Sequence, residues 1–451
     1  MRHRYPAPPD LRPFAPGNND PQPKYGLPQQ IAFCRRCVIS NQRPNSTVEF
    51  RHTAASRKAT ISFSADSVCD ACRVAERKRN LDWPAREAQL GALCDRFRSR
   101  NGQYDCIVPG SGGKDSFFAA HLLKYKYGMN PLTVTWAPHI YTDWGFKNFQ
   151  AWIHAGFDNY LHTPNGRVHR LLTRLAVENL FHPFQPFILG QKQLAPKMAV
   201  FHRIPLIFYG ENEAEYGNPR EDAEDAKRSW DYFAAHGDEE IFLGGTSLKE
   251  LLEHYGIARG ELLPYLPAAP KALAETGVEV HYLGYYLRWH PQSCYYYAVE
   301  HGGFQAAPER TPGTYSKYNS IDDRMDDFHY YTTFIKFGIG RATYDAAQEI
   351  RSSDIERDEG VALVDRFDGE FPERFADEVF RYLSLPPHEF PVAARMFEQP
   401  TMDRAYFLRL ADRFRSPHLW KWQEGKGWML RRKVSASEAR SDADLQPAPL
   451  R

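Results

Sequence analysis

No stretch of the chain approaches the roughly 20 consecutive apolar residues needed to cross a bilayer, and residues 1–30 lack the apolar core of a secretory signal. A membrane association is therefore not expected, and a cytoplasmic location is. Net charge is also missing: 57 Lys and Arg stand against 56 Asp and Glu, leaving +1 over 451 residues. Such a balance gives no global pull toward nucleic acid or an anionic membrane, so no nucleic-acid partner is expected. Cysteine is scarce, with seven in all. That is a poor basis for a disulfide scaffold in a chain of this length. No internal repeat is visible. What is present is a 42% apolar fraction, enough for a sizeable core, and aromatic residues at 14%. Length alone suggests two or three domains.

Five regions follow from composition and periodicity. Residues 1–30 carry eight prolines and read as a disordered or loosely docked arm. Residues 31–75 hold two C-x-x-C pairs. Residues 76–275 alternate strand and helix patterns, residues 276–434 are mixed and mostly helical, and residues 435–451 form a polar, disordered tail. A charged helical linker is expected over Arg73–Arg100. Strands are expected at Tyr104–Pro109, Leu132–Ala137, Asn159–Thr163, Ile204–Tyr209 and within Val278–Tyr286, with helices such as Ser116–Tyr127 and His169–Phe181 between them. Alternating strands and helices imply an α/β domain with a parallel sheet.

Between the first strand and the first helix lies Ser111-Gly112-Gly113-Lys114-Asp115-Ser116. Two glycines let the backbone approach a ligand closely. Turn N–H groups and a helix N-terminus make an anion site. Ser111 and Ser116 add hydroxyls, Lys114 adds a cation, and Asp115 suits a Mg²⁺ bound to phosphates. This is not a Walker A loop, because Val108 stands where that motif needs glycine and Asp115 separates Lys114 from Ser116. The arrangement resembles the PP-loop of the ATP pyrophosphatases, whose domain is HUP-like. The resemblance implies cleavage of ATP between its α- and β-phosphates.

Cys34, Cys37, Cys69 and Cys72 form two knuckles able to hold one tetrahedral structural Zn²⁺, with an iron–sulfur cluster as the alternative. Further candidates lie where strands end. Glu211 and Asn212 follow the strand ending at Tyr209 and suit a catalytic or Mg²⁺-binding role. Thr135 and Trp136 end another strand. Asp143, Lys147 and Asn148 sit at a loop-to-helix junction. Lys336 and Arg341 suit clamping of a carboxylate or pyrophosphate. Asp322, Asp323, Asp326 and Asp327 read as a solvated helix face rather than a metal cluster.

Longer stretches narrow the resemblance. They are CRRCVIS, VCDACR, SGGKDS, TWAPHIYTDWGFKNFQAWIHAGFDN, LHTPNGRVHRLLTRLAVENLFHPFQPFILGQK, PLIFYGENEAEYGN, KYNSIDDRMDDFHYYTTFIKFGIGRATYDAAQEIR and FDGEFP. From Cys34 to Pro372 the chain looks like the N-acetyl sugar amidotransferases of surface-polysaccharide and flagellar-glycan biosynthesis. The resemblance implies that the acetamido oxygen of an acidic, nucleotide-linked or free sugar is adenylated by ATP. Ammonia from a separate glutaminase partner then displaces AMP and leaves an acetamidino group. It also implies adenine or ribose contact for Thr135 and Trp136. Two rivals stand beside it: a PP-loop tRNA-thiolation enzyme, which needs a sulfur-delivering group near the ATP site, and a non-enzymatic scaffold.

Overall fold

The computed structural model describes residues 2–210 and 225–438. Its centre is a parallel sheet that begins with β1 (Cys106–Pro109), β2 (Pro131–Trp136), β3 (Asn159–His162) and β4 (Leu206–Tyr209). A short hairpin, β5 (Phe242–Leu243) and β6 (Thr246–Ser247), precedes β7 (Glu279–Tyr282), which pairs with β4. A second hairpin, β8 (Trp420–Gln423) and β9 (Gly427–Leu430), lies near the other end of the chain. Strand order in the sheet is β3-β2-β1-β4-β7. The chain thus winds outward in one direction from β1 to β3 and in the other from β4 to β7. In such sheets the crevice between the two directions, at the C-terminal ends of β1 and β4, is where ligands bind.

Side chains alternate across the sheet. Cys106, Val108, Leu206 and Phe208 face the layer containing α3 (Lys114–Tyr125) and α4 (Asp143–His154). Ile107, Leu132, Val134 and Ile207 face α5 (Gly166–Leu180) and α6 (Gln185–His202). With both faces covered, the strands read as continuous apolar runs rather than alternating ones. The expected linker helix is two helices, α1 (Asp70–Lys78) and α2 (Trp83–Phe97). They separate at Asp82, whose carboxylate accepts from Ala85 N at 3.0 Å and caps α2. The last sheet strand stops at Tyr282 and gives way to a single helical turn, Leu283–Tyr286.

Beyond Gly302 an extended stretch leads into helices Asp326–Phe337, Arg341–Ser352, Arg357–Phe367, Ala376–Leu383 and Arg404–Phe414. Residues at the start of the chain lie along this region. His3 stacks on Phe397 at 4.6 Å, Phe14 packs against Trp428, and Tyr25 Oη donates to Phe414 O at 2.8 Å. Among the described residues no helix is long and apolar enough to cross a membrane.

Candidate active-site cleft

The turn after β1 is tightly packed, which explains its glycines. A Cβ on Gly110 would lie 2.2 Å from Ser116 Cβ. Gly112 has φ +86°, and a Cβ there would meet Asn148 O at 2.6 Å and Phe149 Cα at 2.8 Å. The turn therefore passes directly against the backbone of α4, and only glycine fits. Gly113 is the extended residue before α3, so Lys114 and Asp115 enter that helix's first turn. Lys114 is buried, and its Nζ lies 2.5 Å from Asp115 Oδ2. Asp115 Oδ1 is buried without a hydrogen-bond partner. The Ser116 hydroxyl donates to Gly113 O at 3.0 Å.

This turn opens into a cleft of about 700 Å³, within the size range of small-molecule sites. Three parts of the chain wall it. The sheet contributes residues 110, 111 and 113–116 together with Tyr209 and Gly210; α6 contributes Gln191 and Lys192. The cysteine-bearing segment contributes Arg43 and Ser46. The C-terminal helical region contributes Asp322, Asp326, His329, Tyr330, Arg341, Asp345 and Arg351.

The acidic stretch at 322–327 is not a solvated helix face, contrary to the sequence reading. Asp323, Asp326 and Asp327 are buried. Each has a partner: Asp323 Oδ2 lies 2.7 Å from His139 Nδ1, Asp326 Oδ2 2.8 Å from Arg341 Nη1, and Asp327 Oδ2 3.1 Å from Arg374 Nη2. Burial pushes the Asp326 carboxyl up to about 7 and that of Asp327 up to about 6, while the arginines oppose the rise. The sequence pattern missed this because the partners are distant in sequence or on the next helix. The cleft residues Arg43, Ser46, Lys192, His329, Tyr330 and Arg351 were missed for the same reason. No local motif singles them out, and only the fold brings them together.

The other candidates fall in different places. Arg341 is a wall residue of the cleft, only 2% exposed, with its guanidinium 4.2 Å from the Tyr330 ring. Its Nε is buried without a hydrogen-bond partner. Asn148 also lines the cleft, but its amide holds the backbone of Gln305 through bonds of 2.8 and 2.9 Å. Lys147 is exposed, with its amine over the Trp144 ring. Asp143 is 77% exposed at the start of α4, and Arg324 lies 3.8 Å from it. Thr135 and Trp136 are buried and do not line the cleft. The Thr135 hydroxyl accepts from Asn159 at 2.9 Å, and Trp136 stacks on His162 at 4.7 Å. Lys336 is buried away from the cleft and donates to Leu180 O at 2.7 Å. Burial, then repulsion from Lys58, lowers its ammonium pKa to about 7, against the pull of Glu49. Glu211 and Asn212 lie outside the described residues.

Cys34, Cys37, Cys69 and Cys72 converge. Cys34 and Cys72 sulfurs are 3.8 Å apart, as are those of Cys37 and Cys69, and all four lie within 4.8 Å of one another. Zinc–sulfur bonds of about 2.3 Å in a tetrahedron give edges of about 3.8 Å, so the set fits a single Zn²⁺. An iron–sulfur cluster shares its thiolates among several irons and holds them farther apart. Backbone N–H groups of Arg36 and Cys69 donate to Cys34 Sγ at 3.4 Å, and α1 begins directly after Cys69, aiming its positive end at the sulfurs. The positive charge of Arg351 lies close enough to Cys37, Cys72 and Cys69 to favour their thiolates. Arg357 donates to the carbonyls of Cys37 and Cys34 at 3.3 and 3.4 Å. Among the described residues no other group of three or more His, Cys, Asp or Glu side chains converges in this way.

Two comparisons bear on this arrangement. Residues 312–435, which supply much of the cleft's far wall, match the family of LPS biosynthesis protein WbpG-like C-terminal domains. A separate similarity is to the uncharacterized protein MJ1599 of Methanocaldococcus jannaschii, 31% identical over 83 residues, or 18% of this chain and 29% of that protein. The chain thus spans under a third of that relative's length. The C-terminal part of the chain is thus similar to the C-terminal domains of LPS biosynthesis proteins.

Proposed function

We propose that the protein is an ATP-dependent amidotransferase that converts an acetamido group of an acidic, nucleotide-linked sugar into an acetamidino group for a lipopolysaccharide or related glycan. One observation carries the reading. A glycine turn with a lysine, at the crevice of a doubly wound sheet, shares a single cleft with a wall similar to LPS-biosynthesis proteins. The turn's N–H groups and Lys114 suit the phosphates of ATP, and Asp115 suits a Mg²⁺ bridging them. Adenylation turns a poor leaving oxygen into AMP, and ammonia then attacks the activated carbon. Fixed donors at the turn would stabilise charge on the α-phosphate without reorganising. The zinc centre is closed by four thiolates and supports folding and docking. Ammonia would come from a separate glutaminase.

A tRNA-thiolation reading is not favoured. All seven cysteines are buried and none lines the cleft, so the described wall offers no sulfur-delivering group. The test is incubation of purified protein with Mg·ATP, ammonium chloride and a panel of acetamido uronic acids, free and UDP-linked, followed by mass spectrometry. Formation of AMP, pyrophosphate and a product lighter by the exchange of oxygen for NH is expected only when all three are present. AMP formation that needs tRNA and a sulfur donor instead would overturn the reading.

A further inference from the structure

The strongest unexplained feature of the cleft is an acid next to a phosphate-binding turn. Asp322 and Ser111 both line the cleft, and the Ser111 hydroxyl favours the charged form of the Asp322 carboxyl. Its neighbours in sequence or space are neutralised or tied: Asp323 by His139, Asp326 by Arg341, and Asp345 by the Thr314 hydroxyl at 2.6 Å and the Asn319 amide at 3.3 Å. Among the described residues no lysine or arginine lies within ion-pair distance of Asp322; Arg341 acts on it only at longer range. A carboxylate there repels the phosphates that the turn is built to attract, so its position calls for a cation.

The backbone holds it there firmly. Thr142 N donates to Asp322 O at 3.0 Å, and the Thr142 hydroxyl donates to Ile321 O. Arg324 N donates to Ile140 O at 2.9 Å, and the Arg324 guanidinium reaches Tyr141 O at 3.0 Å. Gly145 has no room for a side chain, because a Cβ would lie 2.4 Å from Asp322 Cα. Thus two segments far apart in sequence are stapled so that Asp322 and Ser111 face the same cleft. These bonds are made by the backbone and by other side chains, which leaves the Asp322 carboxylate free for chemistry.

Resting on the amidotransferase reading, we propose that Asp322 is the catalytic residue that receives ammonium beside the adenylated substrate and takes its proton. Ammonium gives one proton to the Asp322 carboxylate. The freed lone pair forms the C–N bond to the imidate carbon, and the C–O bond to AMP breaks, with the electron pair leaving on AMP. One hydrogen of the added nitrogen passes to the imidate nitrogen, so the product is an amidinium. The proton on Asp322 then leaves to solvent. Burial and the nearby Asp323 raise the Asp322 carboxyl above the ordinary carboxylate range, which suits a group that must hold a proton briefly.

The competing occupant is the Mg²⁺ that travels with ATP, and the experiment separates the two. Asp322→Asn keeps the backbone staples, and its circular dichroism and melting temperature should match the wild type. Its KM for ammonium chloride should rise about tenfold or more, the loss expected for a charged hydrogen bond. Its KM for ATP and its Mg²⁺ requirement should stay unchanged. A shift in the Mg²⁺ requirement with ammonium KM unchanged would overturn the proposal. A second measurement needs no turnover, so failure of the amidotransferase reading stays distinguishable. Crystals with a non-hydrolysable ATP analogue are soaked in thallium(I) acetate, a monovalent stand-in for ammonium. An anomalous peak at the Asp322 carboxylate is expected. No peak there, or one obtained only with Mn²⁺, would refute a monovalent-cation role even in a protein whose substrate is different.

Discussion

The two walls of the cleft are built on opposite principles. On the sheet side, six consecutive residues make the turn, and every constraint on them is local: a strand before, a helix after, and α4 pressed against Gly112. On the far side, the wall is assembled from charges that each need a partner elsewhere in the chain. Arg341 depends on Asp326, Asp327 on Arg374, and Asp323 on His139. Behind this wall, the cysteine segment packs with Ile339, Ala346 and Ala347 in one apolar cluster. One wall can be read by eye from a sequence. The other is visible only once the chain is folded, because buried ion pairs leave no periodic trace.

The comparison breaks most severely at the metal. Replacing Cys37 by Ser should abolish zinc binding, and structural zinc sites contribute on the order of 10 kcal/mol to folding. Metal analysis should show loss of one zinc per chain, and the far wall should become protease-sensitive before the sheet does. If zinc is lost without change in the melting curve, the two walls are less coupled than their packing indicates.

Next in size is the far wall itself. Asp326→Ala strands the buried Arg341 guanidinium, and breaking a buried pair from one side costs about 3–5 kcal/mol. Urea unfolding should register that loss, and Asp326→Asn should recover part of it. On the near wall the expected effect is on rate rather than stability. Lys114→Ala should lower kcat about 10²–10³-fold, the usual toll for removing one preorganised donor. Its loss of stability should be the smaller of the two, because the Asp115 carboxylate left behind is 29% exposed and can be hydrated. Equal losses of stability in the two variants would erase the distinction between the walls.

The smallest effect concerns Lys336, behind the far wall. Its folded pKa, about 7, lies below the ordinary lysine value near 10.4. Between those values the unfolded chain binds more protons than the folded one, so stability rises with pH. Relative to Lys336→Met, the wild type should gain about 1 kcal/mol between pH 6 and pH 8. Denaturant titrations at the two pH values measure it, and no difference from Lys336→Met would mean that Lys336 stays charged in the fold.

How much was legible follows the same division. The strands at Cys106–Pro109, Pro131–Trp136 and Leu206–Tyr209 were readable because a doubly covered sheet leaves plain apolar runs. The four cysteines were readable because knuckle spacing is itself the geometry. The fate of Trp136 was not: a strand end points to a ligand or to a core with equal ease, and here the ring lies against Gly190, where a Cβ would come within 2.2 Å of it. The burial of the aspartates at 323, 326 and 327 leaves no sequence signal for one reason. Charged residues are normally solvated, and nothing local says that a particular one has a buried mate.

The packing of the cysteine centre against helix Arg341–Ser352 also bears on the order in which the protein is made. The knuckles leave the ribosome early, while the helices that shield their apolar side are synthesised near the end. Until then Val38, Ile39 and Ile61 lack the cover of Ile339, Ala346 and Ala347, and exposed apolar surface on a partly made chain invites aggregation. An ion captured by the four thiolates during synthesis would keep the nascent segment in shape until its cover arrives.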